Sequence, residues 1–317
     1  MILITGCAGF IGFHVALEFL SKGKTVIGLD NLNKYYDREL KLKRLIQLKK
    51  NKSFKFKKID ISKPFELNQK FDAIFHFAAQ PGVRYTIKNP NSYIKSNIIG
   101  TFNILEFAKK KNIKNLIISS SSSVYGLNNI KNGFKENQIV NKPMQIYSVS
   151  KISNELMSFS YSYLNDIKIV ALRFFSVYGP WGRPDMAVYK FSDAIHKNKK
   201  IELYNNGNNY RDYTFISDIV DGIVKSYSYI KKTKKKFTIL NLGNSKTYST
   251  KYLLSEIEKN FNKKANVKFT PNLKEDILKT KSNLNKVKKL IGYSPKVPLA
   301  DGIKKFSNWY KKHVQEK

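Results

Sequence analysis

Met1-Ile2-Leu3-Ile4-Thr5-Gly6-Cys7-Ala8-Gly9-Phe10-Ile11-Gly12 opens the chain, and its reading decides the fold. An apolar run of strand character ends at Thr5. Gly6, Gly9 and Gly12 follow at G-x-x-G-x-x-G spacing, and a helical pattern takes over at 11–20. Glycines at a strand-to-helix turn let the backbone bend tightly, and the helix N-terminus behind them carries partial positive charge. A dinucleotide pyrophosphate suits that setting. Gly6, Gly9, Phe10, Ile11 and Gly12 are therefore candidate cofactor contacts. Asp30 ends the next strand pattern, 18 residues beyond Gly12. A carboxylate there accepts hydrogen bonds from the adenosine ribose hydroxyls and repels a 2′-phosphate, which favours NAD over NADP. Asn31 adjoins it. Asp60 and Ile61 close the third strand pattern, where Asp60 reads either as a partner of the adenine amino group or as a turn cap.

Outward from this turn, strand-like runs at 2–5, 25–29, 54–59, 73–77, 116–119 and 169–174 alternate with helical periodicity at 11–20, 90–110 and 145–164. That alternation predicts an α/β fold: a Rossmann-type doubly wound parallel sheet with helices on both faces. Near-continuous apolar strands fit a sheet buried on both sides. Beyond about 175 the rhythm loosens into helices near 185–197, 218–231, 250–261 and 299–312 and strands near 201–204, 237–241 and 266–270. The expected division is an NAD-binding domain over 1–175 and a smaller C-terminal α/β lobe for substrate over 176–317, with a return to the first domain near 212–245 left open.

The 317 residues carry a net charge of +35. Charge of that size raises nucleic-acid or membrane-surface binding. The 52 lysines are spread over the whole length, however, alongside abundant Asn and Ile, as an AT-rich genome would give, and no nucleic-acid-binding signature accompanies them. Specific nucleic-acid binding is not expected. Only six arginines occur, Arg38, Arg44, Arg84, Arg173, Arg183 and Arg211. In so lysine-biased a chain an arginine marks a place where a planar guanidinium fork is needed. A single cysteine, Cys7, excludes an internal disulfide and fits a reducing compartment. No apolar run reaches membrane-spanning length and the N-terminus lacks a signal-peptide pattern, so a cytoplasmic protein is expected.

Tyr147-Ser148-Val149-Ser150-Lys151 is Y-x-x-x-K within a helical pattern, which puts both side chains on one helix face. A nearby ammonium is expected to lower the phenol from its usual pKa of about 10, so that it can take a proton from a sugar hydroxyl. Ser119-Ser120-Ser121-Ser122-Ser123 follows an apolar strand and precedes Val124-Tyr125-Gly126, a place where a solvated linker is out of character.

With these residues the chain resembles the extended short-chain dehydrogenase/reductase family over nearly its whole length. The marks are the T-G-x-x-G-x-x-G start, Asp30, His76-Phe77-Ala78-Ala79, the serine strand, Y-x-x-x-K and Arg211-Asp212-Tyr213. Within the family it looks like the nucleotide-sugar 4-epimerases, and most like those acting on UDP-glucuronate. That likeness lies in Asp30-Asn31-Leu32-Asn33-Lys34-Tyr35-Tyr36-Asp37, Ala79-Gln80-Pro81-Gly82-Val83-Arg84 and Tyr178-Gly179-Pro180-Trp181-Gly182-Arg183-Pro184-Asp185-Met186. It departs from the pattern at Ser121, where threonine is frequent, and in the lysine-rich stretch 273–281, where nucleotide contacts are left open.

The resemblance implies that Ser121, Tyr147 and Lys151 are catalytic, with Ser121 bonding the sugar 4-oxygen, and that Phe77, Ala78 and Ala79 line the cofactor. Dehydratases and decarboxylases of the family carry an acid just after the catalytic hydroxyl. Ser122 and Ser123 stand there instead, as donors to a substrate carboxylate together with Arg183. Arg211 is implied at the UDP diphosphate and Asn97 as a polar brace. Arg84 reads either as a residue at the pocket mouth or as a structural ion pair, and His76 as a packed histidine. The activity implied is NAD-dependent C4 epimerisation of a UDP-uronic acid through a 4-keto sugar, by a homodimer serving cell-surface glycan synthesis. A 4-epimerase of UDP-glucose/galactose or UDP-N-acetylhexosamine is the alternative, with a decarboxylase or dehydratase behind it.

Overall fold

A computed structural model describes residues 1–128, 130–271 and 277–315. The first strands are β1 (Ile2–Thr5), β2 (Val26–Asp30), β3 (Phe54–Lys58), β4 (Ala73–His76), β5 (Asn115–Ser121) and β6 (Lys168–Phe174). Then come β7 (Ser176–Tyr178), β8 (Lys200–Tyr204), β9 (Tyr210–Arg211), β10 (Tyr213–Phe215), β11 (Phe237–Leu242), β12 (Tyr248–Ser249) and β13 (Asn266–Thr270). Helices α1 (Phe10–Ser21), α2 (Arg38–Lys49), α3 (Tyr85–Lys88), α4 (Asn91–Tyr93), α5 (Gly100–Lys110) and α6 (Ile146–Leu164) lie in the first half. Helices α7 (Ala187–His196), α8 (Ile216–Lys232), α9 (Thr250–Phe261), α10 (Asn285–Ile291) and α11 (Leu299–Gln315) lie in the second.

Among the described residues one seven-stranded parallel sheet dominates, in the order β11-β6-β5-β4-β1-β2-β3. Strand β1 pairs with β2 on one side and β4 on the other, so Thr5 lies level with both Leu29 and His76. The winding direction reverses between β1 and β4, and ligands of such sheets bind at that reversal, off the carboxyl ends of the strands. Alternation along each strand divides the core. Ile2 and Ile4 face a cluster with Phe13, Phe19 and Phe75, whereas Leu3 faces another with Ile27, Ile74 and Ile104. Both faces are thus sealed, as the apolar strand runs require. Helix α8 packs on the sheet, and β11, although late in the chain, is its edge beside β6.

Some expected elements differ. Helix α2 was not foreseen: its lysines mask Leu40, Leu45 and Leu48, which are buried. Asp37 caps it, Oδ1 accepting the Glu39 amide at 2.9 Å. The single helix expected over 90–110 is instead α4, a π-helical turn at Ile94–Ile99, and α5. A π turn re-aims a side chain that an α-turn would face elsewhere, and here it carries buried Asn97. Strands β7, β9, β10 and β12 and helix α10 also went unforeseen, being too short to show a period. Of the stretch 273–281, positions up to 276 lie outside the described residues.

Candidate active site

A cleft of about 890 Å³ lies off the carboxyl ends of β1, β2, β4, β5 and β6 and runs out toward β8 and β9. The expected cofactor contacts Gly6, Gly9, Phe10, Ile11, Gly12, Asp30, Asn31, Asp60, Ile61, Phe77, Ala78 and Ala79 all line it. Gly6 sits at φ +72°, and a Cβ there would meet the Ala78 backbone nitrogen at 2.7 Å, while one on Gly12 would meet the Gly6 carbonyl at 2.2 Å. The turn is therefore a backbone cradle that only glycine leaves open.

Asp30 is buried at the end of β2, where its Oδ1 accepts the Leu32 amide at 2.8 Å and its Oδ2 the Ala8 amide at 3.2 Å. Burial pushes its carboxyl up, while Lys41, these amides and Arg44 pull it down. Asp60 caps its own turn, taking the Ser62 amide at 3.0 Å and the Ser62 hydroxyl at 2.8 Å, and it also accepts Asn31 Nδ2 at 3.1 Å. A phosphate-sized cradle at a helix N-terminus and a buried acceptor at the next strand end fit a dinucleotide.

The other end of the cleft gathers Ser119 to Ser123, Tyr147, Lys151, Arg183 and Asp185. Ser119, Ser120 and Ser121 end β5, and Ser122 and Ser123 open a 3₁₀ turn, Ser122–Tyr125. Ser121 Oγ accepts the Ser123 amide at 3.1 Å and is hydrogen-bonded to the Tyr147 phenol. With the amide on its lone pair, the Ser121 hydroxyl is free to donate toward the phenol oxygen. Ser123 Oγ is buried in the wall without a hydrogen-bond partner in the structure. Ser122 lines the same wall.

One electrostatic expectation is corrected. Burial raises the Tyr147 phenol, and the groups that pull it back are the Ser121 hydrogen bond and the Arg183 guanidinium. Lys151 is engaged elsewhere: its ammonium donates to the Ser119 carbonyl at 2.8 Å and the Ser119 hydroxyl at 3.1 Å. Burial lowers Lys151 to about 8, against the pull of Glu155 one turn on.

Arg183 meets Asp185 at two points, Nε to Oδ1 at 3.0 Å and Nη2 to Oδ2. The Tyr35 hydroxyl adds a donor to Asp185 Oδ2 at 3.0 Å. Arg183 holds Asp185 below the usual carboxylate range although burial opposes it. Arg84 stacks over the Tyr204 ring, 4.4 Å from its centroid, and so spans the cleft from the 80–85 loop to β8. Arg211 lines the cleft from β9 and donates to the Tyr210 carbonyl at 3.0 Å and the Leu278 carbonyl at 3.3 Å.

Beneath the site a polar network fixes these elements. Asn97 accepts the Gln80 amide at 2.7 Å and donates to Ser150 Oγ at 2.9 Å, which in turn donates to the Tyr147 carbonyl at 2.7 Å. His76 lies between Thr5 Oγ1 at 2.7 Å and Thr101 Oγ1 at 3.0 Å, and burial lowers it to about 3, so it is a neutral packed ring. Arg173 grips Glu155 at 2.8 and 2.7 Å under the serine strand. Sequence reasoning did not single out Tyr35 or Asp185, and it placed Ser119 only as a strand residue. The tyrosine and aspartate sat within quoted family stretches, which were their available signal.

The winding of the sheet and this hydroxyl–phenol corner beside a dinucleotide cradle are those of an extended short-chain dehydrogenase/reductase. The chain belongs to the NAD dependent epimerase/dehydratase family, whose model matches residues 2–243. It is 48% identical over 98% of its length to an uncharacterised protein of Methanocaldococcus jannaschii, covering 95% of that protein. It is 37% identical to the UDP-glucuronate 4-epimerase of Thermodesulfobacterium geofontis, over 99% of this chain and 97% of that one. The Bacillus cereus UDP-glucuronic acid 4-epimerase, solved with UDP-glucuronic acid and NAD, superposes with a TM-score of 0.89 at 32% identity, over 98% and 99% of the two chains.

Proposed function

We propose that the chain inverts C4 of a UDP-uronic acid, interconverting UDP-glucuronate and UDP-galacturonate through a transient 4-keto sugar. The observation that carries this reading is the cleft wall that brings together the Tyr147 phenol, the Ser121 hydroxyl bonded to it and the Arg183 guanidinium whose charge it feels. Gly6 to Gly12, Asp30 and Ala78 would hold NAD, which supplies reversible hydride acceptance so that no net redox occurs. Ser121 holds the sugar 4-oxygen beside Tyr147. Tyr147, as its phenolate, takes the 4-OH proton as C4 is oxidised, and the phenol so formed returns it after the keto sugar has turned over in the cleft. Lys151 orients the nicotinamide end of the cradle from its seat on Ser119.

The carboxylate needs its own restraint. Oxidising C4 makes a β-keto acid, which loses CO2 when the C5–C6 bond aligns with the carbonyl π system. Arg183, with the Ser122 and Ser123 hydroxyls, would hold the carboxylate out of that alignment. Arg211 would serve the diphosphate end and Arg84 the mouth of the substrate cleft, with residues 1–175 chiefly binding NAD and 176–317 chiefly binding the UDP-sugar.

A second reading has its own observation. Asp185 already occupies Arg183, which lowers the net charge offered to a uronate and favours a neutral or N-acetylated UDP-sugar. Incubation with UDP-glucuronate, UDP-galactose and UDP-N-acetylglucosamine without added reductant separates the readings. Epimerisation of UDP-glucuronate alone, or at far the highest kcat/KM, supports the uronate; preference for either of the others contradicts it.

The working form we propose is a cytoplasmic homodimer that supplies cell-surface polysaccharide synthesis. On neighbouring helices, Phe102 of α5 and Leu156 and Phe159 of α6 are 45%, 65% and 54% exposed. A second copy related by a two-fold axis would cover this apolar face with its own.

A further inference from the structure

Three successive carbonyls, those of Pro180, Trp181 and Gly182, accept hydrogen bonds from side chains of the dinucleotide half. His14, on α1 just behind the glycine turn, meets the Pro180 oxygen at 2.9 Å. A carbonyl only accepts, so Nε2 carries the proton, and burial lowers His14 to about 4, which keeps the ring neutral at working pH. Arg44, on α2, donates through Nη2 to Trp181 and, at 3.3 Å, to Gly182. Its Nη1 donates to the Ala8 carbonyl at 2.8 Å and the Tyr36 hydroxyl at 2.7 Å.

One guanidinium thus spans two turns. On the cofactor side it takes the carbonyl of the Ala8–Gly9 peptide, whose N–H is already bonded to the Gly6 oxygen at 2.9 Å, so that peptide is fixed at both ends. On the substrate side it takes the two carbonyls that precede Arg183. Trp181 is held at φ +61°, an uncommon conformation for a bulky residue, and wedges between Phe13 and Trp309 at ring distances of 5.4 and 5.5 Å. Arg44 is 0% exposed and its Nε has no hydrogen-bond partner in the structure. A buried cation whose hydrogen-bond acceptors are all neutral, offset by the charge of the nearby Asp30 carboxylate, gains little stability for its desolvation. Its fork geometry is what a lysine, abundant elsewhere in this chain, does not provide.

We infer that Arg44, seconded by His14, clamps the turn carrying Arg183 to the glycine turn, making Arg44 a positioning residue that couples cofactor binding to sugar binding. This rests on the proposed contact of Arg183 with substrate. With the clamp intact, ordering the glycine turn around NAD also orders the turn before Arg183, and a sugar held there retards release of NAD by the same coupling.

The test compares wild type with Arg44→Lys, which keeps the charge and loses the fork. Three quantities are read: the rate of NAD loss on dilution without sugar, the slowing of that loss by UDP-glucuronate, and the split between KM and kcat. The clamp predicts NAD loss at least ten-fold faster, UDP-glucuronate protection at least ten-fold weaker, and KM raised ten-fold or more with kcat within about three-fold. A merely structural arginine lowers the melting temperature and leaves all three unchanged in the folded protein, which would overturn the clamp. Should Arg44→Lys fail to fold, His14→Gln is read in the same assays, with the same directions required. A wild type whose NAD loss is indifferent to UDP-glucuronate overturns the clamp, whereas a wild type that does not epimerise UDP-glucuronate contradicts the proposed function. A protected wild type beside an equally protected variant overturns the clamp alone.

Discussion

Arg183 and Asp185 lie two residues apart in one turn and grip each other at two points on the cleft wall that holds Tyr147. A uronate reaching Arg183 meets a cation that already has a carboxylate. Charge-assisted hydrogen bonds contribute about 1.5–3 kcal/mol each, so losing the guanidinium is expected to lower kcat/KM for UDP-glucuronate by ten- to a hundred-fold or more. Arg183→Ala should spare UDP-galactose by comparison. Asp185→Asn, by freeing the guanidinium, should lower KM for UDP-glucuronate and leave UDP-galactose unmoved. Steady-state kinetics on both sugars decide it; an Arg183→Ala protein that loses both equally contradicts carboxylate reading.

Ser122→Ala with Ser123→Ala should loosen the carboxylate without touching the proton relay. Released CO2 and 4-keto-pentose are expected to rise as a fraction of turnover. An unchanged product ratio means those hydroxyls do not restrain the C5–C6 bond.

The Ser121 hydrogen bond pulls the Tyr147 phenol down against burial. Ser121→Ala should therefore move the rising limb of the pH–rate profile to higher pH, whereas Tyr147→Phe should lower turnover roughly 10²–10⁴-fold at every pH. A Ser121→Ala profile that keeps its midpoint would show that the serine does not tune the phenol.

His76 is lowered from its ordinary 6.5 to about 3 because burial disfavours the charged ring. The unfolded chain then takes up a proton that the folded chain refuses, so this contribution is whole above pH 6.5 and is lost as pH falls toward the folded value. At pH 5 the loss is about 2 kcal/mol. Denaturant unfolding at pH 7 and pH 5 should show a smaller acid loss in His76→Asn than in wild type; equal losses would contradict a neutral buried ring.

Leu156→Glu with Phe159→Glu should yield a monomer by light scattering at micromolar concentration while the far-ultraviolet circular dichroism stays that of wild type. A wild-type protein that is itself monomeric at that concentration contradicts the proposed two-fold contact.

Much of this was legible because it depends on local pattern. The glycine turn, Asp30 and the Tyr147–Lys151 spacing are short-range facts, and the apolar strands are long enough to show that they are buried on both sides. The rest depends on contacts between distant residues. Arg44 reaches Trp181 across 137 positions, which no window of sequence contains. Arg44 was conspicuous only as an arginine in a lysine-rich chain, and α2 around it was hidden by that same lysine excess. The expected pull of Lys151 on the phenol failed because spacing gives the shared face of a helix but not what else lies above it: Ser119 took the ammonium. The π turn at Ile94–Ile99 changes which way Asn97 faces while leaving the apolar pattern intact, so periodicity passed over it.

The central claim is that C4 is oxidised and reduced by one hydride that never leaves the cleft, with Tyr147 moving only the hydroxyl proton. UDP-glucuronate deuterated at C4, incubated in ordinary water without added reductant, tests it most directly. The account predicts UDP-galacturonate that keeps the deuterium at C4, with none lost to solvent. Epimerised product with hydrogen from water at C4, or no epimer at all, would contradict it.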